Sequence, residues 1–85
     1  MAINTKIINQ EPLSDISLPA RLEAILYLKG KPLSLNEMTE LAQETKSSVE
    51  VALLALMAGY AQRDTALDIH EHNGLYSLQL RKGLG

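Results

Sequence analysis

Leu67-Asp68-Ile69-His70-Glu71-His72-Asn73-Gly74-Leu75-Tyr76-Ser77-Leu78-Gln79-Leu80-Arg81 is the stretch that decides the fold of this chain. Leu67 and Ile69 point one way and Asp68, His70 and His72 the other, which is the period of a half-buried strand. Asn73-Gly74 interrupts that alternation with two residues that tolerate positive φ, as both central positions of a type I′ turn require. The expectation is a β-hairpin whose return strand runs from Leu75 to Arg81. A two-residue turn sets Ile69 opposite Leu78 and Leu67 opposite Leu80, with all four on one face. Turn and alternation are independent features, and both demand this register.

Upstream of the hairpin the period is helical. Ser47 followed by Glu50 is a capping pattern, and it predicts a third helix from about Ser48 to Arg63. Gln43 to Lys46 holds no apolar residue and reads as a turn. Before it, Ser34 with Glu37 makes the same capping-box pattern for a second helix, whose apolar face is Leu35, Met38, Leu41 and Ala42. The first helix is expected to carry Pro19 in its first turn, where the missing N–H has no partner to lose. Leu18, Leu22, Ile25 and Leu26 share one face of it, Gly30 supplies the C-terminal stop and Pro32 prevents resumption. Residues 1–18 contain isoleucines without a sustained period, broken by Pro12 and Pro19, and read as an N-terminal arm. The domain is then 19–82, with 83–85 a tail. Three helices followed by a β-hairpin make a winged helix-turn-helix, an α+β fold that is mainly α, with the wing at residues 66–81. Such folds recognise both nucleic acids and proteins, so topology does not decide function.

Composition narrows the function. The chain of 85 residues has no cysteine, which removes disulfides and every cysteine-based metal or redox site. Phe and Trp are also absent, so the core has to be aliphatic. Eight basic against ten acidic residues leave a net charge of −2, the wrong sign for a phosphate-binding surface. Met1 to Gln10 lacks the apolar stretch of a secretory signal. The longest apolar run, Val51 to Ala61, spans 11 residues, short of the roughly 20 a membrane helix needs. A cytoplasmic protein is expected. No serine–histidine–acid or cysteine–histidine arrangement and no glycine-rich phosphate loop is present, so neither an enzyme nor a bound cofactor is expected. Asp68, His70 and His72 share a strand face, but no further His or Cys completes a tetrahedral set, and they read as the polar edge of the wing.

The third helix carries the most information. In a DNA-reading helix-turn-helix its outer face bears polar and basic side chains. Here Glu50 is the one charged residue between Val49 and Ala61. On a helical wheel Val49, Leu53, Leu56 and Tyr60 form one face, flanked by Met57, and are expected to pack in the core. Val51, Leu54, Ala55 and Ala58 lie roughly opposite. A helix apolar on both sides has to be covered on both. The favoured cover is a second copy of the chain, with Ala55 and Ala58 allowing close approach; the other is the N-terminal arm through Ile7, Ile8, Leu13 or Ile16. Lys46, Arg81 and Lys82, with Lys29 and Lys31, are the residues that could touch phosphate if the chain were instead a DNA-binding winged-helix regulator. Glu50 opposes that, and direct nucleic-acid binding is not expected.

The stretch Glu23-Ala24-Ile25-Leu26-Tyr27-Leu28-Lys29-Gly30-Lys31-Pro32-Leu33-Ser34 resembles the opening of the first winged-helix domain of the segregation and condensation protein B family. There an acidic-Ala-aliphatic-Leu-aromatic helix leads through a glycine to Pro-Leu-Ser. Glu37, the apolar third helix and Gly74-Leu75-Tyr76-Ser77-Leu78 fit the same pattern, so the resemblance covers roughly Arg21 to Arg81. It implies a non-enzymatic subunit of the bacterial condensin-like complex, acting in chromosome condensation and segregation and associated with the nucleoid through that complex. It also implies that the chain dimerises and binds the kleisin subunit, segregation and condensation protein A, and through it an SMC ATPase. Members of the family usually carry a second winged-helix domain, to which much of the kleisin binding is attributed.

Overall fold

A computed structural model describes residues 16–83 of the chain. Helix α1 spans Leu18–Lys29. The Ser17 hydroxyl accepts the Ala20 amide at 3.3 Å, Pro19 occupies the first turn, and Gly30 ends the helix at φ +64°, its N–H bonded to the Leu26 carbonyl at 3.2 Å. Leu22, Ile25 and Leu26 are buried, as their spacing predicts. The chain then makes a two-residue strand β1, Leu33–Ser34, before helix α2, Leu35–Ala42. Ser34 and Glu37 form the complete capping box: the Ser34 hydroxyl accepts the Glu37 amide at 3.1 Å, and the Glu37 carboxylate accepts the Ser34 amide at 2.8 Å. That backbone hydrogen bond is the main cause holding the Glu37 carboxyl below its ordinary range.

Helix α3, Lys46–Gln62, begins two residues earlier than the Ser47–Glu50 pattern implies. The cap is Thr45, whose hydroxyl accepts the Ser48 amide at 3.2 Å. Two residues able to cap a helix stand close together, and the earlier one prevails because it adds helical hydrogen bonds without losing the cap. Ser47 therefore lies in the first turn, and the turn shortens to Gln43–Thr45, with Gln43 taking the left-handed conformation at φ +57°.

Strands β2, Leu67–His72, and β3, Leu75–Leu80, form the hairpin. Asn73 and Gly74 have φ +55° and +79°, the signs of a type I′ turn. Ile69 pairs with Leu78 and Leu67 with Leu80, the expected register. The sheet has three strands in the order β1-β3-β2, all antiparallel, because Leu33 and Ser34 pair with Tyr76 and Leu75. The core is aliphatic. Leu22, Leu26, Leu33, Met38 and Val49 are fully enclosed, and Ile69 reaches the cluster from the wing. Three helices and a hairpin in this order form a winged helix-turn-helix.

Candidate protein interface

Helix α3 divides as its wheel predicts. Val49, Leu53, Leu56 and Tyr60 are buried, joined by Ala52, which lies between the two apolar faces and completes the inner one. On the other side Val51 and Leu54 are 68% and 67% exposed, and Ala55 and Ala58 are exposed with them. A groove runs along each flank of this stripe. One lies between Val51 and Ala55 and the start of α1 at Leu18 and Pro19. The other, about 350 Å³, is walled by Leu35, Leu53, Leu54, Met57 and Tyr76, with Glu50 contributing a carboxylate. Large apolar side chains in a continuous exposed stripe mark an interaction surface. Of the arm of residues 1–18 expected as its other possible cover, residues 1–15 lie outside the described residues; Ile16, at their edge, is 42% exposed.

The C-terminal end of α3 is held by a polar cluster. The Tyr60 hydroxyl donates to the Glu23 carboxylate of α1, which also receives the Arg63 guanidinium at 3.4 Å. The same guanidinium lies 4.4 Å from the centre of the Tyr60 ring, a cation–π contact. Burial, followed by the hydrogen bond to Glu23, pushes the Tyr60 phenol above its ordinary value, so it remains a proton donor. Arg81 completes the cluster. Its guanidinium donates to the carbonyls of Tyr60 at 2.7 Å and Arg63 at 2.8 Å, and also to that of Thr65. The Tyr60 carbonyl also accepts the Arg63 amide at 3.2 Å, the other two lie just past the helix, and a cation at this end suits the helix dipole.

Arg81, singled out in the sequence as a possible phosphate contact, thus directs its charge inward. Lys46 lies exposed in the first turn of α3 and Lys82 lies exposed just past β3. Asp68 is also engaged: one carboxylate oxygen accepts the Ile69 amide at 2.8 Å and the other lies 4.0 Å from Arg81. Among the described residues no three His, Cys, Asp or Glu side chains gather as metal ligands, and no helix is long and apolar enough to cross a membrane. The Glu23–Tyr60–Arg63 cluster and the role of Arg81 have no local sequence signal. Glu23 and Tyr60 are 37 residues apart and only the fold joins them.

No curated protein matches the sequence of this chain. Among solved structures, the dimer of the ScpB N-terminal domain complexed with ScpA peptide shares its fold, with a TM-score of 0.70 over 75% of this chain and 80% of that one, at 20% identity. The model of the family described as segregation and condensation complex subunit ScpB matches residues 20–85, from the first helix through the wing. The chain therefore belongs to the ScpB family of segregation and condensation complex subunits.

Proposed function

We propose that this chain acts by assembly and not by chemistry, as a dimerising winged-helix module of a bacterial condensin-like complex in chromosome condensation and segregation. Its second copy packs on the outer face of α3 through Val51, Leu54, Ala55 and Ala58. Its other partner is the kleisin subunit ScpA, which joins it to an SMC ATPase, and its place is the cytoplasm, on the nucleoid. The observation that carries this reading is the exposed apolar stripe of α3, at the position where a DNA reader of the same fold presents polar and basic groups. The similar ScpB domain, solved as a dimer with ScpA peptide, supports the choice of partners.

Titrating the chain against its cognate ScpA and against duplex DNA over a range of salt tests this reading. Saturable binding to ScpA, with no DNA affinity beyond weak, salt-sensitive association, is expected. Tight DNA binding that falls steeply with salt, without affinity for ScpA, would instead establish the DNA-binding regulator.

A further inference from the structure

The wing sheet has two open edges, and they are not equivalent. The Arg81 amide bonds to the Ala66 carbonyl at 2.8 Å, so in the alternating antiparallel ladder Gln79, Ser77 and Leu75 also turn their backbone groups toward β2. Tyr76, Leu78 and Leu80 turn theirs the other way. Tyr76 meets Leu33 of β1, but β1 goes no further along this edge, because Gly30 at the end of α1 carries the chain away. Among the described residues no strand lies beside Leu78 and Leu80 on that side. The opposite edge, on β2, is blunted. Two of its three outward amides, Leu67 and Ile69 but not Glu71, are taken by the Thr65 hydroxyl at 3.3 Å and the Asp68 carboxylate at 2.8 Å. Among the described residues Leu78 and Leu80 have no such cap.

Beside the open β3 edge is a cavity of about 190 Å³, lined by Leu26, Tyr27, Lys31, Pro32, Leu78 and Gln79 among others. It shares Pro32, Ser77 and Gln79 with a second hollow of about 380 Å³ over the outer face of the wing, which reaches Lys82. The apolar contacts are Tyr27, 72% exposed, and Leu80, 55% exposed. The charged groups along this path are Lys31, Lys82 and Glu71, and the Glu71 carboxylate already accepts the Gly74 amide at 2.8 Å. Two cations and one anion line this path, a net positive charge, with Glu37 of α2 neighbouring Lys31 on its far side.

We propose that the open edge of β3 at Leu78–Leu80 is the seat of an extended, acidic segment of the kleisin partner, which adds a strand in line with β1 and sets an apolar side chain against Tyr27. Such strand addition draws affinity from main-chain hydrogen bonds and selectivity from the flanking pocket and charges. The proposal rests on the kleisin reading above and locates its contact on a surface separate from the α3 stripe, so dimerisation and peptide binding do not compete.

Overlapping peptides tiling the cognate ScpA chain, titrated against the full 85-residue protein, supply the probe. The expected result is an acidic peptide whose binding slows amide exchange at Leu78 and Leu80 and weakens roughly tenfold in Lys31→Glu/Lys82→Glu, while Leu54→Glu binds it unchanged. A peptide that binds but leaves Leu78 and Leu80 exchanging freely, or that is lost with Leu54→Glu instead, overturns the β3 assignment and leaves the kleisin reading standing. If no peptide and no intact ScpA binds, the kleisin reading falls and the proposal falls with it.

Discussion

The two faces of α3 are made of nearly the same material and have opposite surroundings. Val49, Leu53 and Leu56 are at most 4% exposed, whereas Val51 and Leu54, one or two positions away along the same helix, are about two-thirds exposed. Fully burying an aliphatic side chain is worth about 1.5–3 kcal/mol, so the inner face contributes to folding what the outer face leaves unrealised in a single chain. In the proposed dimer the outer face would release that free energy on association. In a symmetric dimer every residue of the patch acts twice, which makes a short stripe sufficient where a one-sided contact would not be. Hydrophobicity alone therefore does not separate core from interface. What separates them is which side the other helices and the wing already occupy.

The contrast can be broken by truncating one leucine on each side. Leu53→Ala should cost about 2–5 kcal/mol of folding stability, read as a large drop in the midpoint of a denaturant titration. Leu54→Ala should leave the unfolding of the isolated chain nearly unchanged and show its effect only as weaker association. Comparable losses of folding stability for the two would mean that the outer face is covered within the chain.

The polar cluster that ends α3 sharpens the comparison from another side, because it fixes how the helix presents its stripe. Arg81→Ala removes the donor shared by the carbonyls of Tyr60, Arg63 and Thr65 and should cost about 1–3 kcal/mol in thermal or denaturant unfolding. Tyr60→Phe should cost less, about 1 kcal/mol, since Glu23 keeps Arg63 and is partly solvated. The folded-state pKa of Tyr60 is raised, so its contribution is complete below the ordinary tyrosine value of about 10 and is lost as the pH rises beyond it. Stability curves of wild type and Tyr60→Phe should accordingly converge in alkali.

The smallest effect belongs to Glu37 at the entrance to α2, remote from either face of α3. Its folded-state pKa is depressed, so its stabilisation is present above the ordinary glutamate value and disappears as the pH falls through the lower folded value. Unfolding midpoints followed from neutral pH into acid should fall slightly more steeply for wild type than for Glu37→Gln. A parallel pair of curves would mean that the capping carboxylate contributes nothing.

Much of this architecture is legible in the sequence. Asn73-Gly74 and the alternation around it are local signals, and so are the Ser34–Glu37 box and Gly30; each specifies a conformation with residues no more than a few positions apart. The division of α3 was legible for the same reason, since its wheel is set by spacing alone. The features that escaped are non-local or result from close competition. Strand β1 is two residues long, too short to show a period, and exists because Leu33 finds Tyr76 across the fold. Thr45 and Ser47 both qualify as caps, and the earlier one prevails through the helical hydrogen bonds it adds. Arg81 carries the same charge as a phosphate-binding arginine; what sets its role is the proximity of carbonyls 16 to 21 residues earlier in the chain. Buried apolar and turn positions are thus written locally, while the use of a charged side chain depends on what the fold brings to it.

The outer face of α3 is proposed above as the self-association surface of the chain. Sedimentation equilibrium of the wild-type chain and of Leu54→Glu at tens of micromolar, with circular dichroism on both samples, tests it most directly. A dimer for wild type and a monomer for Leu54→Glu are expected, with helix content retained in both, and Val51→Glu should behave in the same way. A monomeric wild type, or a Leu54→Glu variant that still sediments as a dimer, would contradict it.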